Sequence, residues 1–180
     1  MNFMSHPYLS QFCFIVSLLI SGISAVAAEQ IYNFSNYRIV ISPDTSGSLR
    51  PQSYQILVEH DDFLLTRLLA QSPGSLSKAY VTDLDSDGNF EIVVTFAQGE
   101  GDKAIVHFYD WLEGHLVGRK IPELSAEQSK GYKGNDEFAS KGDKFFRIYQ
   151  VYEKAESSWI PTNSKRHLML SYNSWKWVDY

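Results

Sequence analysis

The chain has 180 residues, a net charge of -5 and a hydrophobic fraction of 44%, the proportions of an ordinary single globular domain. Its 16 basic residues against 21 acidic ones argue against a nucleic-acid or anionic-membrane surface and accommodate a basic partner more easily. Aromatic residues make up 14% and sit in short alternating runs, which favours sheet over helix because rings and β-branched side chains pack well on a pleated surface.

The first 28 residues hold no Asp, Glu, Lys or Arg, carry the apolar run FCFIVSLLISGISAVA and end in Ala25-Val26-Ala27-Ala28. They read as a signal peptide with small residues at its cleavage site, although His6 is the only basic group in the n-region. The apolar run is short for a membrane span. Cys13, the only cysteine, lies inside this segment without the small residues that precede a lipid-attachment cysteine. The expected mature chain, 29–180, is one exported periplasmic domain with no membrane span, held together by its core and not by disulfides.

From Ile31 onward, short apolar segments alternate with turn chemistry, and no amphipathic helix of convincing length occurs. YQILVEH (54–60) and FLLTRLLA (63–70) flank Asp61-Asp62 as a hairpin, with a helix as the alternative for the second run. QSPGS (71–75) is a loop. KAYVTDL, FEIVVTF and AIVHFYDW follow, separated by DSDGN and AQGEGDK, and Glu113-Gly114 turns the chain into HLVGRKI. KIPELSAEQSKGYKGN (120–135) reads as a longer surface connection, because Pro122, Gly131 and Gly134 interrupt regular structure. DEFAS, KFFRIYQVY, a polar loop to Lys165, RHLMLSY and WKWVD complete the chain. The spacing predicts an all-β fold, an antiparallel β-sandwich or flattened β-barrel of about eight strands. A β-propeller would need its motif to recur, and the aspartate motif occurs once.

That motif is VTDLDSDGNFEIVV (81–94). With Asp83 as position 1, Asp85 and Asp87 fall at 3 and 5, Gly88 at 6, Asn89 at 7 and Glu91 at 9, the opening of a calcium loop. An EF-hand is excluded, since Val94 stands where a bidentate glutamate is needed and a strand follows instead of a helix. Two readings stay open. Either a structural Ca2+ relieves the repulsion among these carboxylates, or the aspartates bond turn amides without any metal.

No enzyme is expected, because the chain has no nucleophile elbow, paired-cysteine site, zinc-protease helix or phosphate-cradling glycine loop. His60, His107, His115 and His167 are scattered, and Trp175, Trp177 and Val178 read as core or sheet surface. Asp136-Glu137 head a strand, where neighbours point to opposite faces.

Four segments taken together resemble the periplasmic inhibitors of invertebrate-type (i-type) lysozyme. DLDSDGNFEIVV is similar to that family's aspartate-rich loop and strand, and GYKGNDEF (131–138) to its Gly-Tyr-x-Gly-His-Asp-Glu-Phe. KFFRIYQVY (144–152) resembles a family strand in the spacing of Arg147 and Tyr152. PTNSKRHLMLSY (161–172) resembles a Pro-Thr-Gly-Gly-x-Arg strand start at Pro161, Thr162 and Arg166. The likeness runs in order across 81–177. It implies an antiparallel β-sandwich or flattened barrel that binds lysozyme as its protein partner and serves evasion of host defence; it leaves a homodimer open.

In that family a loop with a Ser-Gly-x-Tyr motif enters the lysozyme cleft. The corresponding loop here is Gly99, Glu100, Gly101, Asp102 and Lys103, in which only Gly101 matches. A second candidate is Ser129-Lys130-Gly131-Tyr132, with its glycine one place late. Asn135 and Gln150 stand where the family usually has His and Pro. The implied mechanism follows from lysozyme chemistry: two carboxylates flank the scissile bond, and a loop of polar groups occupies their cleft in place of sugar. The competing expectation is a non-inhibitory calcium-binding β domain of the cell envelope.

Overall fold

The computed structural model describes residues 29–44, 53–97, 99 and 102–180. The segment read as a signal peptide, with Cys13, lies outside these residues, as do Glu100 and Gly101. Among the described residues twelve strands occur, numbered β1 (Gln30–Phe34), β2 (Tyr37–Pro43), β3 (Ser53–His60), β4 (Phe63–Gln71), β5 (Leu76–Thr82), β6 (Glu91–Phe96), β7 (Val106–Leu112), β8 (His115–Arg119), β9 (Glu137–Lys141), β10 (Lys144–Lys154), β11 (Trp159–Ser171) and β12 (Lys176–Asp179). They form three four-stranded antiparallel sheets, β1-β2-β3-β4, β5-β6-β7-β8 and β9-β10-β11-β12, each built from consecutive strands.

The all-β expectation holds, and the count of about eight strands is corrected to twelve. Part of the difference lies in WIPTNSK, which reads as the end of a polar loop and is the first half of β11. Those residues are mostly exposed on both faces, so no apolar alternation announces them. Their strand geometry comes from main-chain pairing with β10, as in Tyr152 opposite Pro161 and Lys154 opposite Trp159. FLLTRLLA is a strand as well, an edge of the first sheet, with Phe63 and Leu69 largely exposed. The hairpin before it turns at Asp61 and Asp62, whose φ of 48° and 65° give the two-residue turn that matches strand twist.

The second sheet is the middle layer. Successive side chains of a strand point to opposite faces, so Ile92, Val94 and Phe96 of β6 pack with Ile39, Ile41, Tyr54 and Ile56 of the first sheet. Val93 between them packs with Phe145, Tyr149, Leu168 and Trp177 of the third. Every residue of β6 is therefore buried, which is why FEIVVTF lacks the polar alternation of a half-solvated strand. Rings close the layers: Tyr37 of the first sheet meets Trp111 of the second edge-on at 5.7 Å, and Tyr80 of the second meets Phe145 of the third edge-on at 5.3 Å.

Two connections shape the edge of the middle layer. β8 pairs with β7 only as far as Arg119 opposite Phe108, and continuing that register would set Pro122, which has no N–H for a ladder, opposite Ile105. The chain leaves the sheet there. The 120–135 connection is not a free loop, because Gln128 is buried, its Nε2 donates to Trp177 O at 3.1 Å, and Tyr149 OH donates to Gln128 O at 2.5 Å.

The layering predicts that Ile92→Ala, which leaves a cavity between two sheets, lowers unfolding free energy by about 2–5 kcal/mol. Leu69→Ala on the exposed edge changes it by no more than about 0.5 kcal/mol. Guanidinium titrations of the two variants check the contrast, and similar losses would contradict the layer assignment.

Candidate functional site

The aspartate loop joins β5 to β6, and its local chemistry makes the turn. Asp83 accepts from Asp87 N at 3.1 Å and from Gly88 N at 3.0 Å. Ser86 and Gly88 carry φ of 62° and 88°, a left-handed geometry that glycine adopts without steric cost. Asp83, Asp85 and Glu91 each place a carboxylate oxygen within 4.8 Å of the others. Calcium holds oxygens at about 2.3–2.6 Å, so one ion can reach all three. These hard oxygen donors can hold a metal ion. Asp87 takes another part: its Oδ1 accepts from Asn89 N at 2.7 Å and its Oδ2 from Asn89 Nδ2 at 3.0 Å, bonds that lower its pKa. Burial raises that of Asp85.

Glu91 is the buried member of the cluster, 2% exposed. Its Oε2 accepts from Leu84 N at 2.5 Å. Burial pushes its carboxyl up to about 8, with Asp85, Asp110 and Asp83 adding repulsion against the partial relief from Leu84 N–H. Asp110 lies directly across on β7 and is 3% exposed. It accepts from Arg119 Nη1 and Tyr172 OH, each at 3.3 Å, and burial still raises its pKa. The Arg119 guanidinium lies 3.6 Å from the Trp175 ring centre. Asp110 and Arg119 were not singled out from the sequence. The available signal was a lone acid inside the apolar strand HFYDW, which marks a buried carboxylate needing a partner.

The GYKGNDEF segment builds a second polar cluster. Asp136, with its side chain 0% exposed, accepts from Arg147 Nε at 2.5 Å and from the Tyr132 hydroxyl, while Arg147 Nη2 donates to Tyr132 OH at 2.8 Å. Removing one member of such a buried pair leaves an uncompensated charge at about 3–5 kcal/mol. Gly131 has φ of 72°, and a Cβ there would lie 2.4 Å from Tyr152 O. The close approach lets Tyr152 N donate to Gly131 O at 2.8 Å. Gln150 Nε2 bridges to Thr162 O at 2.6 Å and Ser164 O at 2.9 Å, spanning the register shift after Gln150.

The loop after β6 leans on this cluster. Asn135 N donates to Asp102 O at 3.2 Å, and Ala104 N to Asp136 Oδ2 at 3.2 Å. Its turn is closed by Gly99 N donating to Asp102 Oδ2 at 2.9 Å and Asp102 N donating to Gly99 O at 3.1 Å. Lys103 is exposed. Lys103, Ser129 and Tyr132 line one open groove of about 830 Å3, with Arg119 and Arg147. The two candidate inhibitory segments are thus neighbours, and the metal-loop residues lie apart from their groove. His107 also lines it, with Nδ1 2.7 Å from Tyr54 OH, and burial lowers its pKa.

No protein-family model, no curated protein and no solved structure matches this chain.

Glu91 titrates near its ordinary 4.5 when unfolded and near about 8 in the fold. The folded state then holds the extra proton across that interval, and stability falls as pH rises through it. In chelator, unfolding free energy of the unaltered protein should decline from pH 4.5 towards about 8 relative to Glu91→Gln, which lacks this titration. Parallel urea titrations with a constant difference would contradict it.

Proposed function

We propose that the protein is an exported, periplasmic inhibitor of lysozyme that presents the loop from Gly99 to Lys103 to the active-site cleft of an i-type enzyme. The observation that carries this reading is the pair of bonds from Asn135 and Ala104 to Asp102 and Asp136. Through them Asp102, near the loop's end, and Ala104 just after it are braced by the segment resembling the family's Gly-Tyr-x-Gly-His-Asp-Glu-Phe. A braced loop loses little freedom on binding, which suits insertion into a cleft. Tyr132 is engaged by Asp136 and Arg147, so the Ser129–Tyr132 turn serves as the buttress and the 99–103 loop as the inserted element. Lys103 then meets a catalytic carboxylate of the lysozyme, and the net charge of -5 assists encounter with a basic enzyme.

Turbidity assays against i-type, chicken-type and goose-type lysozymes test this directly, with inhibition of the i-type enzyme expected. Lys103→Glu should weaken that inhibition by about tenfold or more through loss of a desolvated charge pair. Absence of inhibition across the panel would sink the reading.

The second reading, a calcium-binding β domain of the envelope, is favoured by the cluster of Asp83, Asp85 and Glu91. Calcium suits three carboxylates better than softer metals do. An ion that binds only the native state raises the melting temperature by mass action, equivalent to about 2.7 kcal/mol at one hundred times Kd. The rise should appear in millimolar calcium, reverse in chelator and vanish in Asp85→Asn; an unmoved melting curve would leave the loop a turn.

A further inference from the structure

We infer that the groove beside β7 receives an extended acidic peptide segment of a partner protein, which adds to the middle sheet where β8 stops. Two independent observations meet there.

The first is an open strand edge. β7 begins at Val106, and Val106 and His107 pair with Thr95 and Val94 of β6, yet β8 reaches only as far as Phe108. In an antiparallel ladder successive residues turn their N–H and C=O to opposite sides. One of Val106 and His107 therefore aims both groups away from β6, into the space that β8 has left. Both residues line the groove, so this edge is accessible, and such an edge is a template for strand addition. The groove's volume, about 830 Å3, suits a short segment of chain.

The second is charge. The chain is acidic by five, but the residues lining this groove include Lys103, Arg119, Lys120 and Arg147 against the single carboxylate of Glu123. Arg147 is matched by Asp136, and Lys120 by Glu123 at the surface. Lys103 makes no ion pair among the described residues. Arg119 reaches Asp110 only through Nη1, while its guanidinium lies 3.6 Å from the Trp175 ring centre. A guanidinium has five N–H donors, so Arg119 keeps donors for an incoming carboxylate, with its orientation already set. Acidic side chains along an added strand would meet Lys103 and Arg119, and apolar ones alternating with them would meet Ile105, Ile121 and Leu124. This inference does not depend on lysozyme inhibition: there the protein inserts a loop, here it receives a strand.

The test is fluorescence anisotropy with a labelled heptapeptide alternating Glu and Val, titrated with the full chain at low ionic strength. Saturable binding is expected, weakened by about tenfold or more in Lys103→Glu and in Arg119→Gln. Lys103 is exposed, so Lys103→Glu keeps the test decisive even if Arg119→Gln unfolds, which melting curves would reveal. The same peptide N-methylated at alternate amides retains its charge and cannot complete a ladder; its affinity should fall by a similar factor. Absence of binding, equal binding by the N-methylated peptide, or equal binding by a Lys-Val heptapeptide would overturn the proposal. Displacement by oligogalacturonate as effective as by unlabelled peptide would also overturn it, since a carboxylated sugar has no strand to add.

Discussion

The burial of β6 on both faces is the constraint from which the rest of the molecule follows. A strand covered on one side needs only one apolar face, but Ile92, Val94 and Phe96 meet the first sheet while Val93 meets the third. Two additional sheets are then required to keep water from a single strand. Each sheet is a run of consecutive strands, so the contacts within a layer are local and those between layers are not. The aromatic residues do much of the joining, since rings bury large areas and pack edge-on or offset across the layers.

Several polar groups buried in this interior are paired. Asp110 is held by Arg119 and Tyr172, and Asp136 by Arg147 and Tyr132. Glu91 differs: burial, with no cationic partner among the described residues, pushes its carboxyl up to about 8. A protonated acid is the ordinary response of a carboxyl taken out of water, and a bound cation would reverse it. The same residue that could help hold a metal ion therefore weighs against the fold when ionised without one. The Asp136 cluster has the opposite character, its charges matched, and Asp102 and Ala104 are bonded to it and to the neighbouring Asn135.

Much of this was legible locally. The Asp61-Asp62 and Glu113-Gly114 turns, the strand following the aspartate loop and the turn-forming role of Asp83 and Gly88 all come from interactions within a few residues. What escaped local reasoning has a common cause. The exposed first half of β11 has no pattern of its own and takes strand geometry from β10. The 120–135 connection looks like surface and is anchored through Gln128 to residues about fifty positions away. Asp110 and Arg119 acquire meaning only when the register sets Glu91 opposite the first and the turn before β12 brings Trp175 to the second.

The sequence by itself determined the all-β character, the hairpin turns and the acidic loop, because side-chain alternation, left-handed turn residues and carboxylate spacing act over one or two turns of chain. Tertiary structure alone decided the number of layers, the bonds of Asp102 and Ala104 to the GYKGNDEF segment and the groove that Lys103, Ser129 and Tyr132 line. Those depend on contacts between residues distant in the chain, where packing and the need to pair buried charges select one arrangement from many that local preferences allow.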